Sequence, residues 1–397
     1  TRTTRTTRTT STTSTTICPV ATECGGCTTL DLSPADQRAQ LKAQVERSTG
    51  LSIDEVVPSP ASLGYRARLR LRPTATGALG LTRPRSHDVV TISHCPVAHP
   101  LINAVLAKLP PMPGFDGIEL RTDGTRVVLC ASSRPSHGPA KKTRKARRSS
   151  GPKRPSYDQL RTQLDALDLD ALGLAGAAID GARVQGDVLL SIPNDGDLSI
   201  RVSPNSFFQV NLAINTAIVQ RVQRWVRAIK PARVLDLYAG IGNLSLGLAA
   251  QGIPLTLVES APSAGADTRW TLKNSPVLRG AAEVEVKTAD AGRYAAGDSF
   301  FDVALLDPPR GGAPDLIPHL LVTRPRALVY LSCNPRALGR DLGALRGQPW
   351  SVAQTVLFEM FPNTGHAEVL TLILRDDLQA DADAILGEFT GSQRASP

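Results

Sequence analysis

The sequence predicts an α/β fold: a doubly wound, largely parallel sheet whose last strand is antiparallel, preceded by a mixed, mostly β domain. Three observations predict it. After residue 214, apolar runs of strand length alternate with segments of helix length. The last two runs, Val352–Phe358 and Val369–Leu374, are joined by a connection too short for a parallel crossover, so the final strand is expected to be antiparallel. Before residue 204, short strand-like pieces separated by turn residues dominate.

Length and charge define the expected domains. The 397 residues suffice for two domains, each with its own core. We expect a disordered Thr/Arg/Ser tail at 1–16, a first domain at 17–203 and a catalytic domain at 204–397. The net charge of +9 equals the nine Lys and Arg residues between 134 and 154, a stretch that contains no acid. We therefore expect a disordered basic insertion at 134–156 that contacts nucleic-acid phosphates.

Composition excludes several classes of protein. No apolar run approaches the roughly 18 residues of a membrane-spanning helix, and the printed N-terminal stretch has no apolar signal-peptide region. Six cysteines in a chain of this length do not indicate a disulfide framework. We expect a soluble, monomeric protein of the reducing cytoplasm.

The first domain is predicted to open with a helix at 34–47, which follows Ser33 as N-cap. Residues Tyr65–Arg72 alternate between apolar side chains and four arginines, which is the period of a strand. Like charges on one sheet face repel each other, so this face favours a polyanionic ligand over plain solvation. Further strands are predicted at Val89–Ile92, Ile118–Arg121, Val127–Leu129, Val188–Ile192 and Ser199–Val202.

The catalytic domain is predicted to begin with an amphipathic helix from Ile214 to Ile229, stopped by Pro231. Strands are predicted at Val234–Leu237, Leu255–Val258, Val284–Val286, Val303–Leu306, Ala327–Leu331, Val352–Phe358 and Val369–Leu374. An antiparallel strand starts at the edge where its parallel neighbours end. This one edge is therefore expected to collect Asp236, Glu259, Asp307, Cys333 and Glu368.

The segment Asp236–Asn243 is a strand that runs into a glycine turn and then a helix. Its glycines let a ligand approach the backbone, and Glu259 at the end of the next strand can bind ribose hydroxyls. Tight packing without a ligand is the alternative reason for such a turn. Ser245 replaces the third glycine of a dinucleotide fingerprint, which disfavours a nicotinamide oxidoreductase. The pattern instead resembles the first motif of S-adenosylmethionine-dependent methyltransferases.

Cys333 and Glu368 together suggest one class of reaction. A cysteine after a buried strand is more often inert, but here a carboxylate is expected on the same edge. A thiolate that adds to C6 of a pyrimidine makes C5 nucleophilic toward a methyl group, and a carboxylate then removes the C5 proton. The base must first be flipped out of its stack. His366 is expected to orient the loop before Glu368 rather than to act as a second base.

Two further motifs are expected at the substrate. Asp307 and Arg310 end the fourth strand, where they can bind a base edge and a phosphate or carbonyl oxygen, although Asp-Pro-Pro also makes a rigid turn. Phe207 and Phe208 cannot easily face the same way, so one is expected to pack and the other to stack on a base or cofactor. Gln209 is a polar contact beside them.

Four cysteines have the spacing of metal ligands. Cys18, Cys24 and Cys27 lie within ten residues, and Cys95 is the fourth. One Cys-x2-Cys unit with two outlying cysteines fits an iron–sulfur cluster, whereas structural zinc usually shows paired Cys-x2-Cys units. Cys130 is left over and is interpreted as a buried apolar residue.

Taken together, these motifs resemble the RNA 5-methyluridine (uracil-C5) methyltransferases of the RumA/TrmA type over roughly residues 17–375. The most specific matches are Phe208–Asn211, Asp236–Asn243, Asp307–Arg310, Ser332–Pro335 and His366–Glu368. The resemblance implies a Rossmann-like class I methyltransferase domain with Cys333 as the nucleophile and Glu368 as the base. It implies contacts to S-adenosylmethionine from Gln209, Tyr238, Gly240, Asn243, Glu259, Asp290 and Asp307. It implies contacts to the substrate from Phe207, Phe208, Gln209, Asp307 and Arg310.

The set Cys18, Cys24, Cys27 and Cys95 resembles the branch of this family with a [4Fe–4S] cluster, which typically acts on 23S ribosomal RNA. Transfer RNA is the alternative substrate. Cytosine-C5 methylation usually shows a Pro-Cys at the fourth strand, where this chain has Asp307-Pro-Pro. An inactive RNA-binding or ribosome-assembly factor is a further alternative, which the intact Cys333 and Glu368 disfavour.

Overall fold

The computed structural model describes residues 17–134, 155–294, 300–314, 320 and 325–387. The predicted tail at 1–16 and most of the predicted insertion at 134–156 lie outside the described residues. Within the described ranges, no helix is both long enough and apolar enough to cross a bilayer.

In chain order, the strands of the described residues are β1 (Glu55–Val57), β2 (Arg68–Pro73), β3 (Leu79–Thr82), β4 (Val89–Thr91), β5 (Gly117–Thr122), β6 (Val127–Ser132), β7 (Gly176–Ile179), β8 (Ala182–Gly186), β9 (Leu190–Pro193), β10 (Ser199–Val202), β11 (Val234–Leu237), β12 (Leu255–Glu259), β13 (Val284–Thr288), β14 (Val303–Leu306), β15 (Ala327–Ser332), β16 (Trp350–Phe358) and β17 (Glu368–Arg375). The helices are α1 (Pro34–Thr49), α2 (Pro100–Leu106), α3 (Tyr157–Asp165), α4 (Leu169–Leu172), α5 (Leu212–Ile229), α6 (Leu246–Ala250), α7 (Pro262–Asn274), α8 (Pro335–Gly343) and α9 (Ala382–Gly387). Each predicted strand overlaps an observed one.

The larger sheet has the order β1-β16-β17-β15-β14-β11-β12-β13. The five strands that lie in the order β15-β14-β11-β12-β13 are parallel to one another. Strand β17 is antiparallel to both β15 and β16, which confirms the predicted antiparallel last strand. The carboxyl ends of the parallel strands and the start of β17 therefore share one edge.

Burial explains why the central strands appear in the sequence as apolar runs. Every residue of β11, β14 and β15 is buried, as is usual for parallel strands covered on both faces. Helix α5 begins at its N-cap Asn211, whose side chain accepts a hydrogen bond from the Ile214 N–H over 3.3 Å. It ends at Lys230, which has a left-handed φ of 53° just before Pro231.

The smaller unit contains a seven-stranded sheet of order β4-β3-β2-β5-β6-β7-β8. Strand β2 has the predicted two faces, since Leu69 and Leu71 are buried while the arginines face outward. Its positive charge is partly balanced. Arg68 Nε lies 2.9 Å from Glu119 Oε1 on the neighbouring strand β5, so the repulsion that favoured a polyanionic ligand is weaker than the sequence alone suggests.

Contacts divide the chain differently from the predicted boundary between 203 and 204. One unit contains the chain up to Ser33 together with Leu63–Leu190, and the other contains Pro34–Ser62 together with the chain from Ser191. The segment 34–62 belongs to the catalytic unit because β1 pairs in parallel with β16 and α1 packs against α8. Periodicity along the chain identifies such elements but not the sheet that they join.

Candidate active site

The carboxyl edge of the larger sheet brings the predicted catalytic pair together. The β15–β17 ladder ends with Ser332 opposite Val369, so Cys333 and Glu368 stand at the next position of the same register. Opposed residues of an antiparallel pair project to the same face. The predicted nucleophile and the predicted base, 35 positions apart in sequence, are thereby placed side by side, as the topology predicted.

Cys333 is half-buried at the end of β15. Burial raises the pKa of its thiol, and the negative charges of Glu368 and Asp307 raise it further. The Arg310 guanidinium and a backbone N–H act in the opposite direction. These effects require all three side chains to lie close to the thiol, because charge interactions at a protein surface weaken rapidly with distance.

Glu368 is almost completely buried, with 1% of its surface exposed. Burial, together with the charge of Asp307, raises the pKa of its carboxyl well above the ordinary value. Its Oε1 atom is buried and has no hydrogen-bond partner among the described residues. A buried carboxyl oxygen that no protein donor engages is suited to accept a proton from a bound substrate.

Two further acids on this edge also have raised pKa values. Burial raises the pKa of Asp236 to about 7; Asp307 and Glu259 reinforce this rise, and a hydrogen bond from Ser245 opposes it. Ser245 Oγ donates to Asp236 Oδ2 over 2.5 Å. Burial raises the pKa of Asp307 to about 7 as well. A positively charged ligand at this edge would favour the ionised form of both carboxyls.

Helix α8, which starts just after Cys333, holds the loop that follows Asp307. The buried Asp341 carboxylate accepts hydrogen bonds through Oδ2 from the Ala313 N–H over 2.6 Å and from Tyr330 Oη over 2.7 Å. Arg340 donates to the Gly311 carbonyl oxygen over 2.6 Å. These residues were not predicted, because a buried carboxylate inside a helix has no distinctive spacing in sequence.

The glycine turn after β11 has the conformation that close ligand approach requires. Tyr238 has a left-handed φ of 60° and Gly240 one of 56°, an arrangement that is unfavourable for a non-glycine residue and is often found at functional sites. A Cβ added at Gly240 would meet no atom within 4 Å, so open space borders the backbone there. The Gly240 N–H donates to Glu259 Oε2 over 2.9 Å and ties the turn to the end of β12.

Asn243 lies at this turn, but its side chain is engaged within the protein. Its Nδ2 donates to Asn215 Oδ1 over 2.8 Å, and its Oδ1 accepts from Asn215 Nδ2 over 3.0 Å. Asn194 Nδ2 donates to the Asn243 carbonyl oxygen over 2.7 Å. The Asn243 side chain is thus held within the turn, and its contact with the cofactor stays a prediction.

Phe207 and Phe208 diverge, as expected for adjacent rings. Phe207 is 59% exposed, whereas Phe208 and Gln209 are buried. The preceding turn is held by the buried Asp267 carboxylate, which accepts hydrogen bonds from the Ser203 N–H over 2.7 Å and from Ser206 Oγ over 2.6 Å. Of the two rings, Phe207 is therefore the one that a ligand in solvent can reach.

Asp290 follows β13 and closes a short turn. Its Oδ1 accepts a hydrogen bond from the Gly292 N–H over 2.9 Å. A Cβ at Gly292 would lie 3.7 Å from Tyr238 Oη, so the Asp290 turn borders the predicted cofactor residue Tyr238.

The four predicted ligand cysteines meet within the smaller unit. Cys18 and Cys95 are buried, and Cys24 and Cys27 are half-buried. Burial raises the pKa of Cys27 to about 12, and the other three thiols add to that rise. Cys27 also packs against the apolar cluster that contains Cys95.

Backbone groups already act on two of these thiols. The Gly26 N–H donates to Cys24 Sγ over 3.3 Å, and the backbone at Val97 and Ala98 acts to lower the pKa of Cys95 against the effect of burial. Such donors stabilise metal-bound thiolates. In the described part of the chain, no three His, Cys, Asp or Glu side chains are arranged to hold a metal ion.

The sheet order and the acidic carboxyl edge define a class of protein, the Rossmann-like S-adenosylmethionine-dependent methyltransferases. Residues 288–376 match a family model described as tRNA (Uracil-5-)-methyltransferase. The chain is also similar to the solved structure of Pyrococcus abyssi tRNA (uracil-54, C5)-methyltransferase in complex with S-adenosyl-L-homocysteine. The TM-score is 0.66 with 22% identity over 89% of this chain and 86% of that one, which supports the fold.

Curated relatives extend the similarity across most of the chain. It is 31% identical to the 23S rRNA (uracil(1939)-C(5))-methyltransferase RlmD of Cronobacter sakazakii, over 90% of this chain and 82% of the relative. It is 30% identical to the protein of the same name from Edwardsiella ictaluri, over 89% of this chain and 80% of that relative. The chain therefore belongs to the S-adenosylmethionine-dependent RNA uracil-C5 methyltransferases.

Proposed function

We propose that this protein methylates C5 of a uridine in 23S ribosomal RNA through a covalent bond between Cys333 Sγ and C6 of the uracil. The observation that carries the mechanism is the opposition of Cys333 and Glu368 across the β15–β17 register, with a buried, unpartnered Glu368 oxygen. The choice of RNA follows the curated relatives, which are named for uracil 1939 of 23S rRNA.

Each residue of the edge has a distinct task in this mechanism. The Cys333 thiolate adds to C6 of a flipped uracil, which makes C5 nucleophilic. C5 then forms a bond to the methyl carbon of S-adenosylmethionine as the S–CH3 bond breaks and neutral S-adenosylhomocysteine leaves. Glu368 then takes the C5 proton, and re-formation of the C5–C6 double bond expels Cys333 Sγ. Arg310 favours the reactive thiolate because it lowers the thiol pKa. Asp307 lies at the same edge, where it can bind the polar edge of the uracil.

The residues near the glycine turn suit the cofactor. S-adenosylmethionine supplies an electrophilic methyl group on a positively charged sulfur. Open space beside Gly240 admits a ligand, and Glu259 stands where ribose hydroxyls bind in folds of this kind. Asp236, which is buried, and Asp307, which is half-buried, both have raised pKa values, and their ionised forms gain from a neighbouring cation. Gln209, Tyr238 and Asp290 complete this proposed cofactor site.

We further propose that Cys18, Cys24, Cys27 and Cys95 hold a [4Fe–4S] cluster. In such a cluster each thiolate binds a different iron, so the sulfurs surround a group rather than converge on one ion. Cys27 packs against the apolar cluster that contains Cys95, and the spacing of the four cysteines fits an iron–sulfur cluster better than the paired Cys-x2-Cys units of structural zinc. The N–H donor to Cys24 is of the kind that tunes cluster potential.

The proposed substrate is tested by mapping 5-methyluridine in ribosomal and transfer RNA from cells with and without the gene. Nuclease digestion and mass spectrometry should show one 23S rRNA uridine that loses its methyl group and regains it with the intact gene, but not with Cys333→Ala. Loss confined to transfer RNA would replace the proposed substrate. Unchanged methylation in both RNAs would overturn the proposed function.

A further inference from the structure

Helix α1 contacts both elements that carry the catalytic pair. Its C-terminal end packs on α8, the helix that follows Cys333, so closely that a Cβ at Gly339 would lie 2.9 Å from the Ser48 carbonyl oxygen. Its N-terminal half bonds to the loop between β16 and β17, which ends at Glu368. None of the α1 residues belongs to a motif that the sequence analysis used.

The contact with the loop is a buried pair of amides. Gln37 Oε1 accepts a hydrogen bond from the Asn363 N–H over 2.8 Å, and Gln37 Nε2 donates to Asn363 Oδ1 over 3.2 Å. Both residues are buried, with 8% and 5% of their surfaces exposed. Breaking such a pair leaves buried polar groups unsatisfied, so the pair holds the loop firmly.

The two hydrogen bonds of the pair depend on one backbone conformation of Asn363. Asn363 has a left-handed φ of 66°, which orients its N–H and its side chain together toward Gln37. Asn363 Nδ2 also donates to the Ser62 carbonyl oxygen over 2.7 Å. Two residues further along, Gln44 Nε2 donates to the Gly365 carbonyl oxygen over 3.2 Å. The segment 34–62 thus fixes the loop at successive points just before Glu368.

Glu368 depends on this support. Glu368 is the first residue of β17. It pairs with Phe358 of β16, and Val369 pairs with both neighbouring strands, whereas the chain just before Glu368 is the loop that Gln37 and Gln44 hold. A general base must lie within about 2.6 to 3.2 Å of the proton that it removes. Small displacements of the loop therefore affect proton removal more than they affect attack by Cys333, which is carried by a different element.

We propose that Gln37 and Asn363 are a positioning pair that sets Glu368 for removal of the C5 proton. This inference rests on the proposed mechanism and deepens it, because it assigns the pair to one chemical step. The variants are Gln37→Met, which keeps the side-chain volume but loses both hydrogen bonds, and Asn363→Gly, which permits the left-handed φ but loses the side-chain amide. Gln40→Ala, an exposed glutamine on the same helix, is the matched control.

The test measures two steps separately in purified full-length variants with S-adenosylmethionine. On RNA carrying 5-fluorouridine, which stops before proton removal, Gln37→Met should form the covalent adduct at a rate within about twofold of the parent. On ordinary RNA its turnover should fall about ten- to hundredfold, and a methylated covalent adduct should accumulate on denaturing gels. Gln40→Ala should match the parent in both assays.

Other outcomes separate the two proposals. Equal losses of adduct formation and turnover in Gln37→Met and Asn363→Gly would show a purely structural role and overturn the positioning pair. Unchanged turnover in both variants would also overturn it. Failure of the parent protein itself to form an adduct with 5-fluorouridine RNA would instead overturn the proposed covalent mechanism.

Discussion

The side chain of Asn334 donates a hydrogen bond from Nδ2 to the carbonyl oxygen of Arg310 over 2.8 Å. This bond ties the residue after Cys333, the proposed nucleophile, to Arg310, whose positive charge acts to lower the pKa of the Cys333 thiol. Asn334 is also the N-cap of α8, where its side chain accepts from the Arg336 N–H. One asparagine therefore links the Cys333 turn, the α8 terminus and the loop after β14.

The charge of Arg310 should appear in the pH dependence of catalysis. Burial and two acids raise the pKa of Cys333, and Arg310 opposes them. Arg310→Gln should therefore move the rising limb of kcat/KM to higher pH, with a rate loss of about tenfold at neutral pH. Arg336→Gln, an exposed arginine on α8, is the control and should keep the parent profile. Identical profiles for the parent and Arg310→Gln would contradict this role.

Removal of the base should expose the covalent intermediate. Glu368→Gln keeps the shape of the side chain but cannot take the C5 proton. On ordinary RNA with S-adenosylmethionine, it should accumulate a methylated adduct and lose at least about a hundredfold in released product. The amounts of adduct and of released product are measured by gel mobility under denaturing conditions and by mass spectrometry. A variant that released product at the parent rate would show that another group is the base.

The raised pKa of Asp307 predicts a pH dependence of stability in the cofactor-free protein. The folded-state pKa of Asp307 is raised to about 7, above the unfolded value of about 4. Between these values the folded protein binds the additional proton, so this group makes stability fall as pH rises. Asp307→Asn removes that contribution. Its Tm relative to the parent should rise by about 2 °C or more between pH 5 and pH 8. A constant difference would contradict the raised pKa.

Iron binding should depend on the four neighbouring cysteines and not on Cys130. Anaerobically purified protein should be brown, with about four irons per chain. Cys95→Ser should lose iron and lower the Tm, because the buried thiol is a ligand in the proposed cluster. Cys130→Ser is the matched control from the same unit and should retain iron. A colourless parent protein with stoichiometric zinc would contradict the cluster.

Patterns local to each element allowed the catalytic sheet to be predicted well. Apolar runs bounded by turn residues identified its strands, and the short link before Val369 gave the antiparallel direction of β17. That direction alone placed Glu368 beside Cys333. The motifs and the strand directions therefore point to the same two residues. This is why the residues predicted for the carboxyl edge of the sheet lie close together in the structure.

Contacts between distant segments could not be predicted in the same way. Gln37 and Asn363 are separated by 326 positions, and neither has a neighbour in sequence that signals pairing. Asn243 is predicted to contact the cofactor, and the hydrogen bond from its side chain to Asn215 was not predicted. Amides form equally good hydrogen bonds with ligands and with other amides, so residue type does not decide between these roles.

The most direct test of the central claim is a peptide map of the adduct formed with RNA that carries 5-fluorouridine and with S-adenosylmethionine. The expected result is a nucleotide attached to the peptide containing Cys333, no adduct in Cys333→Ala, and full adduct in Cys130→Ala. A full-strength adduct in Cys333→Ala, or a nucleotide attached to another residue of the parent protein, would contradict it.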